Sequence, residues 1–245
     1  MAGNGPDASA HRGTNPPFAE PLTPKQAVAE QRRLRGEVRI EPLRATVTWL
    51  AAVDTGYANG KARAAAALYR WPELELHETR IAMAPADFPY VPGLLSFREL
   101  PAVLGAVHEL SQPPDLILCD GQGIAHPRRL GIAAHLGVLL DVPTIGVGKS
   151  RLIGDYEEPG PEKGDWTPLT HHGERIGSVV RTRRGVKPLF VSPGHRVDHA
   201  QAVDWVLATT GRYRLPEPIR TADRIASQRK TRSALKTKQT GSPRQ

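Results

Sequence analysis

A single cysteine in 245 residues excludes an internal disulfide and any zinc site built on cysteine thiolates. That cysteine, Cys119, falls in a short apolar run, where it reads as a small core residue rather than a nucleophile. Long hydrophobic runs are also missing. No stretch approaches the ~18 apolar residues of a membrane span, and no charged-then-apolar signal opens the chain. The expectation is a monomeric protein of the reducing cytoplasm with no membrane partner. No internal repeat is present, so repeat architectures drop out. Gly148-Lys149-Ser150 resembles the end of a phosphate-binding P-loop, but Pro143 stands where the first glycine is required. Acidic side chains are the minority, 25 against 33 basic ones, which leaves +8. Such a surplus suits a polyanionic partner; the alternative is a basic tail on an otherwise neutral domain.

What is present suits one α/β domain with appendages. Leu116 to Cys119 is a short, non-alternating apolar run of the kind buried on both faces of a sheet. Pro127 is expected in the first turn of a helix carrying Leu130, Ala133, Ala134, Gly137 and Leu140 at helical spacing. A second apolar run, Val142 to Val147, completes a βαβ unit and predicts a parallel strand pair. Upstream, Thr46–Val53, Ala62–Tyr69 and Leu74–Met83 read as an antiparallel meander, the first strand ending at Asp54-Thr55-Gly56. Helices are expected over Pro24–Arg35, Ser96–Leu110 and Asp198–Thr209, with strands over Ile176–Thr182 and Leu189–Val191. Leu215 to Pro218 breaks the pattern before a short helix from Thr221. Residues 1–23 and 228–245 lack periodicity and read as a disordered extension and a basic, solvated tail around a domain of residues 24–227.

Two predicted strands end in aspartate, WLAAVD and LILCD. Laid parallel and adjacent, they bring Asp54 and Asp120 together at one sheet edge. Paired carboxylates repel unless a cation sits between them, and hard oxygen ligands suit Mg2+ or Mn2+, which bind phosphate and activate water. Turn chemistry after strands is the competing reading. Glu99 is a third acid, with a specific alternative: Ser96-x-x-Glu99 is a capping box. Asp223 is a fourth, or a helix-start acid. Lys149 either neutralises charge at a phosphate or is an ordinary exposed lysine. His126 reaches a phosphate or a carboxylate, or packs at a helix start. His171-His172 and His195 read as loop and turn. Tyr90 sits at the tip of a loop stiffened by Pro89 and Pro92, either as a wedge between stacked bases or packed over the core edge.

Taken together, Ala52-Val53-Asp54, the run Phe88 to Glu99 (FPYVPGLLSFRE), Asp120 to Arg128 (DGQGIAHPR), Pro143 to Leu152 (PTIGVGKSRL) and Val191 to His195 (VSPGH) resemble the endonuclease V family, the deoxyinosine 3′ endonucleases. The resemblance covers roughly Pro24 to Ser227. It implies a ribonuclease H-like mixed sheet, antiparallel meander plus parallel βαβ, flanked by helices. It implies a catalytic domain over residues 24–227, with Asp54, Asp120 and Glu99 as metal-site acids, Lys149 at the phosphate, and Asp223 at a position where relatives carry His or Asp. Pro89, Tyr90, Val91 and Pro92 match the strand-separating wedge, and Gly93, Leu95, Gly121, Ile132 and Gly146 the pocket for a flipped base. The implied activity is Mg2+-dependent nicking, with Mn2+ able to substitute, of DNA at the second phosphodiester bond 3′ to deoxyinosine, leaving the lesion in place. Inosine-containing RNA is the alternative substrate, and a non-catalytic inosine-binding module the alternative function.

Overall fold

The computed structural model describes residues 22–227. The expectations for residues 1–21 and for the tail from 228 onward fall outside the described residues. Within them, alternation along the central strands decides the architecture. In β1 (Trp49–Ala58), Leu50 and Ala52 face one side of the sheet and Ala51 and Val53 the other. β4 (Leu116–Asp120) does the same, with Leu116 and Leu118 opposite Ile117 and Cys119. Strands apolar on both faces must be covered on both faces. Here α2 (Leu95–His108) and α3 (Ile132–Leu140) cover one side, and α4 (His199–Ala208) and α5 (Glu217–Ala226) the other. α1 (Pro24–Arg35) is capped by Thr23 and packs Leu34 against Leu130 and Ala134. None of these helices is long and apolar enough to cross a membrane.

The remaining strands are β2 (Lys61–Arg70), β3 (Glu75–Pro85), β5 (Thr144–Gly148), β6 (Trp166–His171), β7 (Glu174–Val180) and β8 (Leu189–His195). All lie in one eight-stranded sheet of order β3-β2-β1-β4-β5-β8-β7-β6. β1, β4 and β5 run parallel, and the other neighbours pair antiparallel. The expected meander and βαβ unit are both present in this mixed sheet.

Five sequence expectations need correcting. β1 continues past Asp54-Thr55-Gly56, because β2 stays paired with it from Trp49↔Arg70 to Ala58↔Lys61. The turn falls instead at Asn59-Gly60, both at positive φ (51° and 74°), as a two-residue hairpin favours. Helix α3 starts at Ile132, not Pro127, because residues 121–131 fold back on themselves, with Gly131 N–H donating to the Gly123 carbonyl. β6 was not anticipated: Pro168 argues against a strand, yet β6 is the last in the sheet order, where a missing N–H is tolerated. Finally, Pro216 caps α5 and Pro218 lies in its first turn, so the apparent break at 215–218 is a helix start. Ser192 to His195, expected as a turn, extends β8, and buried His195 bonds Asp141 there.

Candidate active site

Parallel pairing between β1 and β4 stops at Val53↔Cys119. The next residues, Asp54 and Asp120, therefore emerge side by side at the carboxyl edge of the strands, where open α/β sheets place their sites. Asp120 ends β4, and Gly121 follows at φ 152°. A third acid arrives from the other face. Gly56 allows α5 to close in, since a Cβ there would lie 2.7 Å from the Ala226 carbonyl oxygen. Arg63 then donates to that carbonyl at 3.0 Å, and Tyr69 donates to Thr221 at 2.7 Å, fixing the helix that carries Asp223. Carboxylate oxygens of Asp54, Asp120 and Asp223 lie within 4.8 Å of one another. Lys149 leaves the end of β5 with its Nζ 2.5 Å from Asp120 Oδ2 and 3.4 Å from Asp223 Oδ1.

Three carboxylates share one ammonium, and the electrostatics register the imbalance. Burial, and then the Asp120 charge, push Asp54 up to about 7. Burial raises Asp120 as well, against the opposing hydrogen bond from Lys149. Burial works to lower Lys149, but the hydrogen bond to Asp120 and the charges of Asp120, Asp223 and Asp54 hold it above its ordinary value. The donor set is all hard oxygen and carries surplus negative charge. A divalent cation such as Mg2+ or Mn2+ fits it, with Asp54, Asp120 and Asp223 as the residues able to hold it.

The structure does not bring Glu99 into this cluster of three. It also removes the capping-box alternative. Helix α2 starts at Leu95 with Leu94 as N-cap and no side-chain cap, while the Ser96 hydroxyl meets His135 Nδ1 at 3.0 Å. Glu99 is buried and accepts a hydrogen bond from the Tyr57 hydroxyl at 2.9 Å. Burial raises it to about 7; Tyr57 opposes the rise and Asp120 adds to it.

Beside the acids, sharing Asp120, is a cavity of about 240 Å³. Its walls include Tyr90, Val91, Pro92, Gly93, Leu95, Gly121 and Ile132, all singled out from the sequence. The first turns of α2 and α3 both reach this cavity, and neither carries a side-chain cap. Gly146 lies outside the lining. It sits within β5, where a Cβ would come 2.2 Å from the Gly123 backbone nitrogen, so it admits the 121–123 loop rather than forming a wall. Tyr90 is 75% exposed, which removes the core-edge alternative. Pro89 is also exposed and is not part of the lining, while Phe88 stacks on Phe97 and anchors the base of the loop. His126 lines the cavity but is buried. Its Nδ1 accepts from the Arg128 N–H at 3.2 Å and its Nε2 donates to the Gly93 carbonyl at 3.0 Å, leaving no ring nitrogen for a phosphate. Burial and then Arg128 lower it to about 4, so it is neutral at pH 7.

The sequence profile of Endonuclease V matches residues 32–224. The chain belongs to the endonuclease V family. It is 54% identical over 216 residues to the endonuclease V of Nostoc sp., covering 87% of this chain and 98% of that one. The crystal structure of Streptomyces avermitilis endonuclease V is 44% identical and superposes with a TM-score of 0.81, covering 85% and 93% of the two chains. Ciona intestinalis endonuclease V, solved with a 24mer DNA containing an inosine followed by a ribo-adenosine, is 25% identical with a TM-score of 0.72, covering 83% and 96%. Membership makes this chain a nuclease, a hydrolase of DNA repair.

Within this endonuclease V fold, two contributors escaped the sequence reading. Tyr57, the Glu99 partner, was hidden by ending β1 too early. Gln31 was hidden by its polarity, although Ala27, Gln31 and Leu34 have the spacing of one buried helix face and all three are buried.

Proposed function

We propose that the protein is a divalent-cation-dependent endonuclease that nicks DNA at the second phosphodiester bond 3′ to deoxyinosine. The lesion stays in place, and the nick leaves 3′-hydroxyl and 5′-phosphate ends. The observation that carries this reading is the sharing of Asp120 between a cluster of three carboxylates and a cavity reached by two helix starts without side-chain caps. Such N-termini offer N–H donors and partial positive charge. Hypoxanthine turns a carbonyl acceptor toward donors where adenine turns an amino group. In this reading Gly93, Leu95, Gly121 and Ile132 line the base pocket. Exposed Tyr90, held by Pro89, Val91 and Pro92, fills the gap left in the stack.

Asp54, Asp120 and Asp223 hold the cation, Mg2+ with Mn2+ able to substitute. When bound there, it supplies charge for the phosphate oxygens and acidifies a water. Lys149, between Asp120 and Asp223, contacts the phosphate and stabilises the negative charge that develops on it. Glu99, near 7, takes or releases a proton at its carboxyl close to neutral pH.

One observation favours a second substrate: the Ciona relative is held on a strand whose inosine precedes a ribonucleotide. Nicking of matched strands carrying inosine in DNA or in RNA decides between them. DNA cut faster than RNA supports the proposal; RNA cut faster reassigns the protein as an inosine ribonuclease. Binding without any Mg2+-dependent cut makes it a non-catalytic module.

A further inference from the structure

The sheet edge that carries the acids continues past Lys149. In the strand order β5 lies between β4 and β8. β8 starts beside the end of β5 (Gly148↔Phe190), and β7 ends beside the start of β8 (Val180↔Leu189). The loop joining β7 to β8, residues 181–188, therefore lies at the same edge. It reads RTRRGVKP, with four cations and no acid. Between this loop and Lys149 is a groove of about 580 Å³. The cavity described above lies toward β4 and takes Asp120 into its wall, whereas the groove lies toward β8 and takes Lys149; Ser150 and Arg151 line both.

Two of the loop's cations are spent on holding it in place. Arg181 donates to the Pro159 and Gly160 carbonyls and to Glu158, and Arg184 pairs with Glu162. Lys187 is exposed, and neither it nor Arg214, the other cation lining the groove here, has a carboxylate partner among the described residues. Arg214 approaches from the turn ahead of α5. Its Nη2 donates to the Lys149 carbonyl at 2.8 Å and to the Pro188 carbonyl at 2.7 Å, which ties the backbone of Lys149 to the end of the loop. Its Nε is buried with no hydrogen-bond partner among the described residues. Burial lowers Arg214 below its ordinary value, and no carboxylate offsets that cost. What this guanidinium lacks is an anion.

We propose that this groove holds the phosphate backbone of the substrate strand on the 3′ side of the nick, with Lys187 and Arg214 as its contacts. The proposal rests on the reading above, in which the lesion base enters the cavity and the cut phosphate meets Lys149. A strand with its base toward β4 and its cut phosphate at Lys149 leaves toward β8. With the cut 3′ to the lesion, that outgoing arm is the 3′ arm. A guanidinium fork suits phosphate oxygens, and the exposed ammonium of Lys187 adds a point charge beside it.

The test uses duplexes carrying one deoxyinosine, with the 5′ arm and the complementary strand held constant. The inosine strand either runs well past the nick or ends one nucleotide beyond it. KM and kcat for Mg2+-dependent nicking are measured for wild type, Lys187→Gln and Arg214→Gln. Wild type should show a higher KM for the shortened strand. Lys187→Gln should raise KM for the long strand about fivefold, the upper worth of an exposed charge pair, while KM for the short strand and kcat stay unmoved. Its salt dependence of long-strand binding should flatten by about one unit of slope. Arg214→Gln should show the same loss confined to the long strand. Should Arg214→Gln fail to fold, the exposed Lys187 carries the test alone. A wild type indifferent to the 3′ arm, or variants that lose as much on the short strand as on the long one, overturns the proposal. If wild type nicks elsewhere than 3′ to inosine, the reading of the function falls and the groove with it. If it nicks there with a KM independent of the 3′ arm, the groove alone falls.

Discussion

Replacing Asp54 by asparagine should stabilise the metal-free protein while abolishing its activity. Asp54 ionises near 3.8 in the unfolded chain and near 7 in the fold, chiefly through burial and then through Asp120. At ~1.4 kcal/mol per pH unit of displacement, the ionised folded state carries a penalty of up to about 4 kcal/mol. The sign follows from linkage. Below pH ~4 the group is protonated in both states and costs nothing; the cost grows as pH rises and is complete above pH ~7. Asparagine keeps an oxygen for the Thr55 N–H that now bonds Asp54, and leaves the Lys149–Asp120 pair in place. Thermal unfolding in EDTA at pH 4.5 and pH 8 is the assay. Asp54→Asn should exceed wild type only slightly at the lower pH, where about 1 kcal/mol of the cost is already present, and by several degrees more at the higher, at roughly 2–4 °C per kcal/mol for a domain of this size. Mg2+ at about 1,000 times its Kd should then close the gap, because a ligand at that level adds ~4.1 kcal/mol to the protein that binds it. A variant less stable than wild type at pH 8 in EDTA would refute the reasoning.

Tyr90→Ala should weaken binding to inosine-containing duplex by about 1–3 kcal/mol, the worth of a stacking contact. Tm should hardly move, because the ring is 75% exposed; early melting with normal cleavage would return the ring to the core edge. Glu99→Gln keeps an acceptor for Tyr57 and should fold normally yet turn over slowly; near-normal Mg2+-dependent turnover removes Glu99 from the chemistry. Deleting residues 228–245, which carry six basic side chains from Arg229 to Arg244 and no acid, should flatten the salt dependence of DNA binding while sparing inosine preference. An unchanged slope means the tail contributes no phosphate contacts.

Legibility followed locality. Asp120 was placed because a short apolar run bounded by Pro113-Pro114 and Asp120-Gly121 has few other solutions. Asp54 was placed beside it, but only by assuming strands adjacent and parallel. The end of β1 was misjudged, because its last residues are held by pairing with β2, a contact no local pattern announces. Asp223 was left at a helix start, since Pro218 looked like a break; in α5 it lies beyond the first turn and turns toward the other acids. Glu99 shows the opposite failure. A valid local motif, Ser96-x-x-Glu99, was overridden when the helix began at Leu95 and Ser96 turned to His135. Gln31 was unreadable as a site residue because its partners lie 62 and 97 positions away.

The account stands most directly on where and when the strand is cut. A 5′-labelled DNA strand carrying one deoxyinosine, incubated with Mg2+ or with EDTA, gives the position of the nick at single-nucleotide resolution. The account predicts one cut, at the second bond 3′ to the lesion, present with Mg2+, absent in EDTA and lost in Asp120→Asn. A cut that persists in EDTA or in Asp120→Asn, or that falls on the 5′ side of the lesion, would contradict it.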